Sequence, residues 1–374
     1  MPKTAPVKMS RLLHWFAVLM AVFTFVLLGA GGLVTSHDAG MSVPDWPNSY
    51  GYNMFLFPPS KWIGGILYEH THRLIASAVG LMTTILAIWL WFKDPRQWMR
   101  WIGVAAFLLV VAQGILGGLR VVLDDAQMGI FHAIFGQLFF VLICAIALFT
   151  GRWWEKLENI HPSTSNLPHP ITGNALKAEQ VAVGYSFLRK LVLCTTLLIF
   201  CQLIVGATMR QQHAGLSIPD FPLAYGKIWP DTSPVAVQSY NEHRMNGIAE
   251  NPITPFQIVL QMGHRIVALG ILVLVAICMW QARRRLGRGD PLTKLALFWL
   301  GLIVMQIFLG AATIWSNKAA DVATVHVLGG ALSLVTGTLW YIIAFRRSMA
   351  LPEIASAKTI SNGYGVVPAM AAHK

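Results

Sequence analysis

The stretch Glu69-His70-Thr71-His72-Arg73 gathers a carboxylate, two imidazoles and a guanidinium at the mouth of an apolar run that continues to Phe92. Ionisable side chains are costly in a membrane helix, so a span that carries them generally uses them. Three further apolar runs carry a histidine at nearly the same depth: His132, His264 and His326. Two imidazoles on facing helices can hold a haem iron from both sides of the porphyrin, and helix bundles build cofactor sites in this way. The order of the runs pairs His72 with His132 and His264 with His326. A single histidine at a helix end more often bonds a backbone carbonyl, but four arranged by a repeat argue against that reading. Zinc fits less well: there is no H-E-x-x-H, and the cysteines show no ligand spacing.

Around these four, the two halves of the chain differ at one position. Glu69 stands one helical turn before His72, and the residue in that place before His264 is Gln261. A carboxylate in an apolar mouth has its pKa raised by burial, which would make Glu69 a proton acceptor or a partner for a developing cation. The bland alternative is an interfacial carboxylate paired with Arg73 or His70. His70 competes with His72 as ligand, and His72-Arg73 is chosen because it matches His264-Arg265. Arg73 and Arg265 suit either haem propionates, which need cationic donors, or a role as interfacial anchors. His14 lies at the other end of its run and reads as structural. Asp45 and Asp220 read as turn residues that satisfy local backbone donors.

The elements that must carry these residues are membrane helices. Hydrophobic residues make up 55% of the 374 and charged residues only 12%, about half of what soluble domains carry. Runs of about 20 apolar residues recur, each long enough to cross a bilayer. Eight spans fit: Leu12–Val34, Leu67–Phe92, Trp101–Val122, Met128–Phe149, Leu188–Met209, Phe256–Trp280, Leu295–Trp315 and Val322–Phe345. The net charge of +12 does not indicate nucleic acid, because 20 of the 28 Lys and Arg fall in alternate loops and the termini. The positive-inside rule puts those segments, and both termini, in the cytoplasm. The four histidines then lie near the outer ends of their spans. Long outer loops, His37–Ile66 and Gln211–Pro255, are expected to cap the site, with short turns at Asp124-Asp125 and Lys318 to Asp321. The four cysteines all fall inside apolar runs, so no structural disulfide is expected.

An internal repeat organises the chain. Ala39-Gly40-Met41-Ser42-Val43-Pro44-Asp45-Trp46-Pro47 matches Ala214-Gly215-Leu216-Ser217-Ile218-Pro219-Asp220-Phe221-Pro222 at an offset of 175, and Tyr50-Gly51 matches Tyr225-Gly226. His72-Arg73-Leu74-Ile75-Ala76 matches His264-Arg265-Ile266-Val267-Ala268. Four spans per half give the halves the same orientation, so they are parallel repeats about an axis along the membrane normal. The expected fold is all-α: a polytopic membrane protein whose eight transmembrane helices form two parallel-repeat four-helix bundles. The expected units are 1–150, a cytoplasmic linker 151–187, 188–346, and a cytoplasmic tail 347–374, mobile after Met349, where apolar periodicity ends.

With the loop motif, the Glu-x-x-His-Arg stretch and the three later histidines in hand, nearly the whole chain resembles the haem A synthase family of cytochrome oxidase assembly. The resemblance implies oxidation of the C8 methyl of haem O to a formyl group through an alcohol. It implies that His72 and His132 bracket the substrate haem O, that His264 and His326 ligate a haem b, and that Glu69 is the essential acid beside the substrate. Some members carry a cysteine pair in the first outer loop, which this chain lacks. The resemblance further implies a bacterial-type inner membrane, lipid around the bundle, a supply of haem O from haem O synthase, and an electron-transfer partner; it leaves oligomerisation open. Two other classes explain four histidines: a non-catalytic di-haem b electron carrier, which gives no reason for Glu69 opposite Gln261, and a haem-delivery factor.

Overall fold

The computed structural model describes residues 10–123, 125–158, 175–243 and 252–363. Ten α-helices run through them: α1 Arg11–Ser36, α2 Gly65–Lys93, α3 Gln97–Leu123, α4 Ala126–Phe149, α5 Arg152–Glu158, α6 Ala175–Gln211, α7 Pro234–Glu242, α8 Pro255–Leu286, α9 Pro291–Trp315 and α10 Ala320–Gly363. No strand occurs among the described residues. All eight expected spans are present, in helices long and apolar enough to cross a membrane. The chain is an all-α, multi-pass membrane protein.

The ends of these helices follow from local chemistry. Ser10 caps α1 by accepting from the Leu13 N–H, and Asp290 caps α9 with Pro291 in the first turn. Thr254 and Gln257 form a reciprocal capping box on α8. Between α2 and α3 the turn is pinned by a buried Asp94–Arg96 pair at 2.7 Å, and Arg96 also donates to the Phe149 carbonyl.

The packing gives two four-helix groups. In the first, α1 lies on α2 and α4, and α3 on α2 and α4; in the second, α6 lies on α8 and α10, and α9 on α8 and α10. Met20, Val79, Leu86, Leu90, Met99 and Ile143 fill the first core. Trp299, Trp340, Val192, Val275 and Leu292 fill the second, where the Trp340 indole donates to the Leu292 carbonyl at 2.8 Å. The groups meet where α1 and α4 face α6 and α10, around Phe140, Ala331 and Val335.

α10 continues through the expected tail to Gly363; Ala350, Glu353, Ala355, Ala357 and Lys358 are good helix formers even without an apolar stripe. The linker expected over 151–187 contains α5 and the first turns of α6. Asp124 of the expected acidic turn, residues 159–174 of the linker, 244–251 of the third outer loop, and 364–374 of the tail lie outside the described residues.

The two long loops fold alike. Asp45 accepts from the N–H groups of Tyr50 and Gly51, both at 2.7 Å, and Asp220 does the same for Tyr225 and Gly226. Tyr50 and Tyr225 adopt φ of 51° and 53°, and the glycine after each is also left-handed; glycine takes that conformation without steric cost. The Trp46-Pro47 and Phe221-Pro222 peptides are both cis. Each tyrosine hydroxyl donates back across the turn, Tyr50 to the Ser42 carbonyl and Tyr225 to that of Ser217.

Burial opposes the charge on Asp45, yet the N–H groups of Gly51, Tyr50 and Asp45 itself and the Arg73 guanidinium prevail, holding the carboxyl below the ordinary value. A depressed folded-state pKa means this contribution to loop order is fully present above the ordinary carboxylate value. It is lost as pH falls through the lower value of the folded loop. Exchange protection at the Tyr50 and Gly51 amides, corrected for intrinsic rates, is therefore expected to stay level from neutral pH down to the ordinary carboxylate range and fall below it. Asp45→Asn is expected to give weak protection with little pH dependence. Full protection of the wild type in strong acid would contradict this account.

Candidate functional site

The four histidines meet as two pairs of matched geometry. The His72 and His132 ring centres are 6.4 Å apart with planes at 80°; those of His264 and His326 are also 6.4 Å apart, at 69°. Each residue lies within the first three turns of its helix, on the side of the long loops. Among the described residues, the Nδ1 atom of all four rings is buried without a hydrogen-bond partner. A metal–imidazole bond of about 2 Å on each side of an iron, plus two ring radii, requires roughly 6 Å between ring centres. The donor set and its spacing fit a bis-imidazole haem iron at both pairs.

Glycines hold these rings in place. A Cβ on Gly31 of α1 would lie 3.0 Å from His72 Cε1, and one on Gly117 of α3 would lie 3.4 Å from His132 Cε1. In the other half, a Cβ on Gly206 of α6 would lie 3.5 Å from His264 Cε1, and one on Gly310 of α9 would lie 3.4 Å from that of His326. Each imidazole is thus backed by the bare backbone of a neighbouring helix. The sequence reading missed these glycines, although a signal was there: Gly31 and Gly206 are related by the same offset of 175 as the loop motif.

Glu69 is buried, at 4% exposure, and both of its oxygens are engaged. Oε1 accepts from Arg73 at 2.7 Å, and Oε2 accepts from the Val43 N–H at 2.9 Å. The pairing with Arg73 that was set out as the bland alternative is present. In the second half Gln261 does comparable work: Oε1 accepts from the Ile218 N–H at 2.7 Å and from Ser217 Oγ at 2.8 Å. Its Nε2 donates to the carbonyls of Gly215 and Ile218.

The arginines following the first histidine of each pair are spent on the loops. Arg73 donates to the carbonyls of Asp45, Asn48 and Val43 as well as to Glu69. Arg265 donates to the carbonyls of Leu223 and Asp220. Of the two roles read from sequence, propionate donor and interfacial anchor, the geometry of both residues matches the anchor.

His70 points away from the pair, into the cap, between Phe57 at 5.0 Å and Trp62 at 4.7 Å, with Nδ1 3.3 Å from Ser49 Oγ. His14 sits at the far end of the bundle, its Nδ1 3.1 Å from the Ala147 carbonyl. Two further arginines near the pairs were not singled out from sequence. Arg210 of α6 reaches across to α1, donating to the Gly32 carbonyl and to Ser36 Oγ, both at 2.7 Å. Arg120 of α3 lies on the loop side of the first pair.

Residues 14–338 match the model of the COX15-CtaA family, described as cytochrome oxidase assembly protein. The chain belongs to that family. A relative in Lysinibacillus sphaericus, named heme A synthase, is 24% identical over 337 residues, covering 89% of this chain and 95% of its own length. Heme A synthases of Bacillus cereus and Bacillus anthracis are each 24% identical over 340 residues, covering 90% of this chain and 93% of theirs.

The glycine contacts yield a graded test within the family fold. Gly31→Ala forces His72 to give by a few tenths of an ångström, whereas Gly206→Ala meets His264 at ordinary van der Waals distance. Overpacking of this kind typically costs about 1–3 kcal/mol, so Gly31→Ala should be clearly less stable than wild type and Gly206→Ala close to it. Unfolding of the two variants in detergent reports both. Equal losses in the two variants would remove the proposed steric role of the glycines.

Proposed function

We propose that the protein oxidises the C8 methyl of haem O to a formyl group, through an alcohol, and so supplies haem A for cytochrome oxidase assembly. The observation that carries this reading is a duplicated pair of imidazoles at equal separation, with a carboxylate beside one pair and an amide at the same place beside the other. Family membership and relatives named heme A synthase support it. In this reading His72 and His132 hold haem O as substrate, and His264 and His326 hold a resident haem b. The N-terminal unit (1–150) is the substrate half and residues 188–346 the electron-transfer half, joined by 151–187 and followed by the tail 347–374.

Bound haem b supplies one-electron redox chemistry. The chain's own residues do the rest. His72 and His132, facing each other from α2 and α4, would hold the substrate between them. Glu69 places a carboxylate one turn from His72, held by Arg73 and the Val43 N–H, where it can favour developing cationic character. The loop held by Arg73 closes the mouth, and the apolar helix surfaces accommodate the isoprenoid tail of haem O.

We assign the protein to a bacterial-type inner membrane with both termini in the cytoplasm and both sites near the outer face, on the distribution of Lys and Arg. Haem O synthase would deliver the substrate, and a membrane electron carrier would accept the electrons released.

Glu69→Gln separates chemistry from folding, because Gln261 already anchors the equivalent loop with an amide. Burying a charge without its partner costs about 3–5 kcal/mol, so Arg73→Gln, which strands the carboxylate, should destabilise far more than Glu69→Gln. The full chain, produced with haem O available, is expected to yield haem A or its alcohol precursor by mass of the extracted haems. Glu69→Gln should bind haem at both pairs but stall, losing product by at least about tenfold. Unmodified haems from a folded wild type, with haem O present, would leave the di-haem electron carrier as the better reading.

A further inference from the structure

Arg120 stands at the loop-side end of α3, and its counterpart in the second half is Thr313. The register is fixed by Gln113 and Gln306 and by Gly117 and Gly310, each pair 193 residues apart. Thr313 closes on its own helix, its Oγ1 donating to the Leu309 carbonyl at 2.8 Å. The first half therefore carries a cation where the second carries a self-satisfied hydroxyl.

The side chain is turned inward. Its guanidinium fills the space a Cβ would take at Gly40, with Cζ 2.9 Å and Nη1 3.1 Å from that position, and its Nε lies 3.3 Å from the corresponding point at Gly129. Two glycines, one on the loop and one on α4, make this room. At Gly215, the repeat partner of Gly40, a Cβ would meet nothing within 4 Å. A long cationic side chain that merely escaped to the interface would extend outward past the loop; this one lies beneath it.

Among the described residues, no hydrogen bond or ion pair engages the Arg120 guanidinium. The other arginines near the pairs are all bonded: Arg73 and Arg265 to loop carbonyls, and Arg210 to α1. Glu69 exerts an attraction on Arg120, but its oxygens are taken by Arg73 and Val43. Arg120 lies one helical turn beyond Gly117, whose Cβ position is 3.4 Å from His132 Cε1. A guanidinium whose nitrogens have no protein partner and stay accessible offers a planar fork of N–H donors that matches a carboxylate.

We propose that Arg120 is the substrate-positioning residue of the first pair, taking a propionate carboxylate of the porphyrin in a charge-assisted contact that the second pair lacks. The contact fixes the rotation of the porphyrin between the two imidazoles, and with it which edge faces Glu69. This rests on the reading of the first pair as a haem O site.

Binding of haem O and of its dimethyl ester to the full chain in detergent, with haem b retained at the second pair, tests the contact. Wild type should prefer the free acid by roughly 10- to 100-fold, the worth of a hydrogen bond to a charged group. Arg120→Gln should lose that preference while keeping haem b, and Arg120→Lys should restore part of it. An equal preference in wild type and Arg120→Gln overturns the proposal. Should Arg120→Gln fail to retain haem b, Arg120→Lys decides: a preference unchanged from wild type overturns the contact, and a reduced one supports it. Product analysis is independent. Absence of haem A with an Arg120-dependent preference for the acid would refute the synthase reading and leave the propionate contact standing.

Discussion

The structure depends on how each long loop is tied to the helix that opens the histidine pair. A loop crossing the mouth of a bundle turns carbonyls and N–H groups toward it, and those shielded from water must find a partner. Arg73 meets three such carbonyls and Arg265 meets two, from positions immediately after a histidine. The residue that fixes the loop is thus covalently adjacent to the residue that faces the cofactor space. Cap and ligand cannot shift independently.

Against that shared frame, the Glu69 and Gln261 difference acquires a definite meaning. Both side chains receive a loop N–H, from Val43 and Ile218 respectively. The amide meets its needs with backbone and Ser217 alone. The carboxylate requires Arg73 as well, because a buried charge costs several kcal/mol unless it is paired. An amide would have served the loop at less electrostatic expense. Retaining the costlier group beside one pair alone is what a reaction needing negative charge there would require.

Much of this was legible in the sequence because the repeat converts weak signals into a joint one. Eight spans, the loop motif, the choice of His72 over His70 and the anchoring alternative for Arg73 all follow from residues recurring at matched positions. What was not legible depends on rotamers and on contacts between distant helices. The direction of Arg120 is set by room at Gly40 and Gly129, which lie on different elements. The part played by Gly31, Gly117, Gly206 and Gly310 is equally hidden, since glycine is common in membrane helices and only the facing imidazole gives these four a purpose. The helix beyond Met349 has no apolar periodicity to announce it, because local helix propensity needs none.

The contact between the halves bears on how two sites could act together. Arg210 belongs to the second group, yet it donates to the Gly32 carbonyl of α1, next to the glycine that backs His72. The same guanidinium holds Ser36 Oγ, which lies 3.4 Å from the Thr324 hydroxyl, two residues before His326. A single side chain therefore links the helix behind one pair to the helix that carries a ligand of the other. Below it, Phe25 and Phe140 pack at 5.7 Å, with Ala331 and Val335 alongside, in an apolar seam. A seam of this kind keeps the spacing of the two pairs constant. Constant spacing is what two sites acting together demand, and a loose junction of two independent bundles would not provide it.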